Sequence, residues 1–128
     1  MANRSFSQYR YSLEKKVTDL FAVVTIGAAG APTLDTVNSK GIASIVRSSA
    51  GLYVVTLSDR YTSMLEPGVM SMLAAGTPGH GSCILRATAV NAVVPTVTLA
   101  FLDYAGAAVD PVSTTVLYIG FTLKNSSV

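Results

Sequence analysis

The chain is poor in charged residues: of its 128 residues only 12% are Asp, Glu, Lys or Arg, whereas 50% are hydrophobic. An ordinary globular domain carries about 25% charged residues. Because disorder requires a polar, strongly charged composition, a disordered chain is excluded. The low charge also leaves an exterior of small, neutral or apolar side chains, which favours a subunit of an assembly. The length predicts a single domain and excludes a multi-domain enzyme.

Cysteine and histidine occur once each. Cys83 alone cannot close an intrachain disulfide, and His80 alone cannot form a histidine-based zinc site. His80 is also the only side chain that could act as the base of a Ser-His-Asp arrangement, but its segment, 76–81, is glycine-rich and gives the imidazole no rigid support. We therefore expect an exposed loop histidine, and at Cys83 a small buried hydrophobic residue.

The seven acidic residues are spread along the chain. They form no acid–base couple and no calcium-binding loop at the spacings that such sites use. Four of them adjoin predicted turns, where an aspartate commonly accepts hydrogen bonds from nearby backbone amides: Asp35, Asp59, Asp103 and Asp110. The sequence thus predicts no enzyme, no cofactor and no small-molecule substrate.

Basic residues are scattered except near the N-terminus, and the net charge is only +2. Nucleic-acid binding normally uses a denser basic patch. Residues 20–26 follow Lys15 and Lys16 in the manner of a secretory signal, but the β-branched residues among them favour a strand. The longer uncharged stretches are interrupted by Pro, Gly or Asn, so no segment is predicted to span a membrane. We expect neither nucleic-acid nor membrane partners.

Helical periodicity is nearly absent, whereas short β-branched runs separated by turn residues recur from residue 17 to the end. About eight strands are predicted, which indicates an all-β, jelly-roll-like β-sandwich over residues 17–128. Two runs alternate most clearly. Their predicted core residues are Val97, Leu99 and Phe101 in the first, and Leu117, Ile119, Phe121 and Leu123 in the second.

Individual strands follow from the same pattern. Residues 41–47 and 52–57 flank a four-residue loop, 48–51, and predict a hairpin. Further strands are expected at 17–26 and 84–93, with weaker ones at 33–37 and 69–73, and one helical turn within 58–65. Residues 96–101 and 115–123 are predicted to form an antiparallel pair if the chain between them is short. A turn is expected at 103–106, in which Gly106 can take a positive φ, and a second bend at Asp110-Pro111.

Residues 1–16 do not share the strand pattern and form a predicted N-terminal arm. Basic and aromatic side chains alternate there, and we predict that they bind a partner protein through hydrogen bonds, cation–π contacts and aromatic anchors. A solvated terminus is the alternative that the sequence leaves open. Nucleic-acid binding by the arm is a third possibility, which Glu14 and Asp19 disfavour. The predicted partner-binding residues are Arg4, Phe6, Tyr9, Arg10, Tyr11, Lys15 and Lys16.

Two segments carry a resemblance to a known class of protein. Residues 41–57, followed by Ser-Asp-Arg-Tyr at 58–61, and residues 108–127 resemble segments of small β-rich structural proteins of tailed bacteriophages. The resemblance implies a jelly-roll subunit, a homotrimer, of the cement or decoration type. Such a protein binds the outside of the phage head and bridges major capsid subunits, so the implied location is the capsid exterior of the virion.

The sequence leaves other functions open. A tail- or fibre-associated jelly-roll domain would bind a host receptor through its loops and would follow a shaft sequence. A single-stranded RNA phage coat protein has a similar length, but its fold ends in helices, whereas residues 113–123 alternate as a strand. A small enzyme ranks last, because no convergent polar cluster is recognisable.

Overall fold

The computed structural model describes residues 17–72 and 82–124, without the side chains of residues 70–72. These residues form eight β-strands and a 3-10 helix at Ala28–Gly30. The predicted all-β class and strand number are confirmed. The strands are β1 (Val17–Ile26), β2 (Pro32–Leu34), β3 (Ile42–Ser49), β4 (Leu52–Leu57), β5 (Ser63–Met72), β6 (Ser82–Ala89), β7 (Thr96–Leu102) and β8 (Val116–Lys124).

The strands make two four-stranded antiparallel sheets. Sheet A has the order β2-β1-β8-β5, and sheet B has the order β3-β4-β7-β6. The predicted β-sandwich is therefore confirmed. The jelly-roll order is not, because β1–β2, β3–β4 and β6–β7 each pair as neighbours in sequence within one sheet.

The core lies between the sheets and is built by alternate residues of the strands, because successive side chains of a strand point to opposite faces. All the core residues predicted on the last two strands are buried, so both alternating patterns are confirmed. Tyr53 on β4 and Phe101 on β7 meet edge to face with their ring centroids 5.4 Å apart. Full burial of a large apolar side chain contributes about 1.5–3 kcal/mol, so these aromatic residues stabilise the packing strongly.

The predicted pairing of the last two strands is wrong. β7 lies between β4 and β6 in sheet B, whereas β8 lies between β1 and β5 in sheet A. The connecting segment passes from one sheet to the other, and the amide of Thr114 donates to the carbonyl of Ile26 at its end. The predicted turn is confirmed: Gly106 has a φ of 88°, and its amide donates to the carbonyl of Asp103.

The β3–β4 hairpin is confirmed, but its loop is shorter than predicted. β3 extends to Ser49, which pairs with Leu52, while Ser48 lies at a shift in the pairing register; Ala50 and Gly51 are left as the turn. A φ of 72° at Gly51 provides the left-handed residue that such a tight connection requires.

Local signals also misplaced other boundaries. The helical turn predicted within 58–65 is wrong, because β5 begins at Ser63 and pairs there with β8. β2 ends before the predicted position, since Asp35 accepts hydrogen bonds from the amides of Val37 and Asn38 and forms a turn. β6 ends at residue 89 rather than 93, because residues 90–95 form the connection to β7.

Candidate interaction surface

The predicted partner-binding arm lies outside the described residues, so its role stays a prediction. All seven arm residues, Arg4, Phe6, Tyr9, Arg10, Tyr11, Lys15 and Lys16, belong to this part of the chain. The arm joins the sandwich at Val17, the first residue of β1, which pairs with Lys124 at the end of β8. The arm is thus attached at one end of sheet A.

The two lateral sides of the sandwich differ in how they are closed. At the β2/β3 side, Leu34 of β2 packs against the core, Ile42 and Ile45 of β3 are buried within it, and Val46 of β3 is 57% exposed. At the β5/β6 side, Leu65 is 50% exposed, and Ile84 and Leu85 are each 40% exposed. Of the eight residues of β6, only Cys83 is not exposed. Among the described residues, apolar side chains on this second side are therefore left partly exposed along most of an edge strand.

A groove runs between the edges of β5 and β6. Its larger part has a volume of about 500 Å³ and includes Met64, Pro67, Leu85 and Val90 in its lining. A smaller, adjoining part of about 100 Å³ shares Pro67 and Leu85 and reaches the buried Leu99. We call this groove, with the exposed edges of β5 and β6, the open cleft. An apolar surface of this kind in a β-sandwich is suited to covering by another protein.

Both edge strands are irregular where they border the open cleft. The pairing register shifts by one residue at Leu65 in β5 and at Arg86 in β6, which marks a β-bulge in each strand. Pro67 lies within β5 and has no amide hydrogen to donate. Bulges and proline prevent another strand from extending a sheet by a continuous ladder. Contacts at the open cleft must therefore depend mainly on side chains.

The outer face of sheet A carries a second, shallower groove. Phe21, which is 48% exposed, lies opposite Gly120, and Gly120 lies opposite Gly68 on β5. With no side chains on the two glycines, the aromatic ring of Phe21 borders a depression of about 360 Å³. Thr122 donates to the carboxylate of Asp19 at its edge. Both polar and apolar residues line the depression, among them Glu66 and Pro67 of β5.

At the end of the sandwich where the β3–β4 turn lies, Asp110 joins three segments that are far apart in sequence. Its carboxylate receives hydrogen bonds from Arg47 Nε at 2.9 Å and from the amide of Gly51 at 2.8 Å. The Arg47 guanidinium also makes an ion pair with it at 2.8 Å. Beside it, the Tyr53 hydroxyl donates to the buried carbonyl of Gly30 at 2.7 Å. We call these five residues the Asp110 cluster.

The electrostatics of the Asp110 cluster indicate a structural role. Hydrogen bonding from Arg47 lowers the pKa of Asp110, with further contributions from the Gly51 amide and the charge of Arg47. Burial raises the pKa of Tyr53 to about 12, aided by the neighbouring carboxylate of Asp110. The carboxylate is therefore ionised and the phenol neutral at neutral pH. Both are occupied by partners that connect the loops, an arrangement suited to holding structure rather than to proton transfer.

The prediction for Asp110 is wrong. The sequence predicts that each aspartate beside a turn accepts hydrogen bonds from nearby backbone amides. This is confirmed at Asp35, and at Asp103, which accepts from the amides of Ala105 and Ala107. Asp110 instead bonds the amide of Gly51, 59 residues away. No local pattern distinguishes this aspartate from the other two, because its partners are set by the packing of the two sheets. Asp59 accepts no hydrogen bond from a described residue.

Candidate reactive residues are few in the described part of the chain. Cys83 is partly buried against the core, as predicted for a small hydrophobic residue. Burial raises the pKa of its thiol to about 11, so the nucleophilic thiolate is scarce at neutral pH. His80 lies outside residues 17–72 and 82–124. Within those ranges no three His, Cys, Asp or Glu side chains gather as a metal site, and no helix is suited to crossing a membrane.

Comparisons with protein-family models, with curated proteins and with solved structures find no match.

Proposed function

We propose that this chain is a structural virion protein that binds the outside of a phage head and stabilises it by bridging major capsid subunits as a homotrimer. The observation that carries the proposal is the open cleft, where Leu65, Ile84 and Leu85 are exposed in the isolated subunit. Water-exposed apolar side chains along two adjacent strand edges are costly for a free monomer. Covering them with protein removes this cost.

Composition and resemblance support the same function. With 12% charged residues, the chain has little of the charge that keeps free monomers apart. The two segments that resemble parts of tailed-phage structural proteins contain β3, β4 and β8, which are integral strands of the sandwich. The function therefore depends on a rigid β scaffold that presents contact surfaces.

The proposed mechanism uses two separate contacts. Copies of the chain associate through the sandwich, and the N-terminal arm reaches from Val17 to the underlying shell. Each trimer then holds the shell by three arms at once. The overall affinity of several linked contacts can exceed that of one contact by about 10²–10⁴-fold. The reason is that, after the first arm binds, the second and third arms bind at a high effective concentration. Modest single contacts are sufficient for tight attachment.

Cosedimentation tests the capsid role. Wild-type protein is expected to pellet with shells of the major capsid protein from the same phage. Full-length protein with Tyr9→Ala, Arg10→Ala and Tyr11→Ala together should bind those shells at least about ten-fold more weakly, since aromatic and arginine anchors dominate contact energies.

Two controls show whether the arm variant has lost shell binding or self-association. A Ser7→Ala, Gln8→Ala variant alters the same arm without removing an anchor and should pellet like wild type. The mass of the arm variant in solution should equal that of wild type. Wild-type protein that stays in the supernatant with shells would overturn the capsid role, and selective pelleting with phage tails would favour the tail-associated alternative.

A further inference from the structure

We propose that the open cleft is the surface through which copies of this chain contact one another. The β6 edge of one copy faces the β5 edge of the next, and Arg86 of one copy pairs with Glu66 of the other. This inference rests on the proposed self-association and assigns the residues that perform it. A second copy is the occupant that the chemistry of the two strands favours.

The β5 and β6 strands carry complementary charges. Glu66 is the only charged residue of β5, and Arg86 is the only charged residue of β6. Each is adjacent in sequence to a residue that lines the groove, Pro67 and Leu85 respectively. Neither charge forms an ion pair with another residue in the described ranges. Glu66 borders the depression on the outer face of sheet A, and Arg86 is exposed on β6. One acid and one base therefore lie at the rim of the open cleft, one on each edge strand, where each can meet the opposite charge of a second copy.

Exposed apolar side chains lie beside both of these charges. Leu65 is 50% exposed beside Glu66, and Leu85 is 40% exposed beside Arg86. An interface with an apolar centre and charges at its rim is typical of protein–protein contacts. When β6 of one copy approaches β5 of the next, the leucines cover one another while the opposite charges meet at the edge. The ion pair then sets the register of the contact, and apolar burial provides most of its free energy.

The irregular edges of β5 and β6 limit the kind of assembly that forms. A contact between two different edges is heterologous, and such contacts generate a closed ring or an open fibre. The bulges at Leu65 and Arg86, together with Pro67, prevent the continuous strand ladder on which sheet fibres depend. A side-chain contact around a rotation axis is consistent with these edges, and the proposed trimer is one closed ring of this kind.

A charge-swap experiment on the full-length chain tests the inference. The variants are Glu66→Arg, Arg86→Glu and the double variant, and association is measured by sedimentation velocity over a concentration series. Each single variant places two like charges at the contact and should weaken association about ten-fold or more. The double variant restores opposite charges in reversed order and should return to within about three-fold of wild type.

Lys40→Glu is the matched control. It makes the same charge change as Arg86→Glu, but Lys40 is exposed in the segment between β2 and β3, on the other side of the sandwich. It should associate like wild type. Thermal unfolding confirms that each variant is folded before its association is compared.

The outcomes separate this inference from the proposed function. Rescue in the double variant supports the open cleft as the contact surface, whether or not the protein pellets with shells. Single variants that associate like wild type, or a double variant as weak as the single ones, would overturn the assigned surface. Binding of wild type to shells would then still support the capsid role through a different contact between copies.

Discussion

Gly51→Ala is expected to destabilise the fold by about 2–5 kcal/mol, because backbone strain and a steric clash add at one position. Gly51 has a φ of 72°, a conformation that costs an L-residue about 1–2 kcal/mol. A methyl group there would lie 2.7 Å from the carbonyl oxygen of Phe101 and 2.8 Å from the amide nitrogen of Val109. Both obstacles are backbone atoms, so relief requires the β3–β4 turn and the segment after β7 to separate.

Gly106→Ala is the control that separates strain from clash. Gly106 has a φ of 88°, but a methyl group at this position meets no atom within 4 Å. Its substitution should cost only the strain, about 1–2 kcal/mol. Chemical denaturation of both variants at one protein concentration gives the comparison. Equal losses of stability in the two variants would show that the turn at Gly51 does not pack against the neighbouring loop as described.

Asp110→Asn is expected to lower stability by about 1–2 kcal/mol at neutral pH. The substitution removes the charge that binds Arg47, and the hydrogen bonds of a charged acceptor are each worth more than neutral ones. The side chain of Asp110 is 23% exposed, so solvent screening keeps the loss below that of a fully buried pair. The NH₂ group of the new asparagine side chain is a donor and cannot accept a hydrogen bond. Either the Arg47 guanidinium or the backbone amide of Gly51 therefore loses its acceptor.

The loss should depend on pH in a defined direction. Hydrogen bonding from Arg47 holds the pKa of folded Asp110 below its ordinary value of 3.8. The folded state therefore binds this proton less readily than the unfolded state, and the ionised carboxylate stabilises the fold fully above pH 3.8. As the pH falls through the lowered pKa, this contribution disappears. The difference in stability between wild type and Asp110→Asn should thus be constant near neutrality and shrink in acid.

Asp59→Asn is the matched control for this titration. Asp59 is exposed and accepts no hydrogen bond from the described residues. Its variant should differ little from wild type in stability. Urea denaturation at several pH values measures all three proteins. A stability difference for Asp110→Asn that stays unchanged through the acidic range would contradict the role of the ionised carboxylate in joining the loops.

Sequence reasoning was most successful where one strand buries one face. The alternation in β8 identifies Leu117, Ile119, Phe121 and Leu123 correctly, because a period of two directly reports which side chains point inward. β1 even has its predicted bounds, Val17–Ile26. Pairing could not be derived in the same way. β7 and β8 are neighbours in sequence but lie in different sheets, and local patterns do not encode which distant strand each one meets.

The candidate site was less accessible from sequence than the fold. Low overall charge predicted an associating exterior but not its location. β6 was expected as an ordinary strand, and nothing in its sequence indicated that Ile84 and Leu85 would both be exposed at an edge. That property arises from the order of strands in the two sheets, which places β5 and β6 on the same side. The strand order puts Glu66 and Arg86 on the two edge strands of one side, and only then do their opposite charges suggest a contact between copies.

The molar mass of the purified wild-type chain in solution, measured by light scattering over a range of concentrations, tests the central proposal most directly. A protein whose work consists of contacts with its own copies and with a shell should have three times the chain mass of 13.3 kDa. A mass of 13.3 kDa at every concentration would contradict the proposal, because the apolar edges of β5 and β6 would then remain uncovered in a stable, solitary subunit.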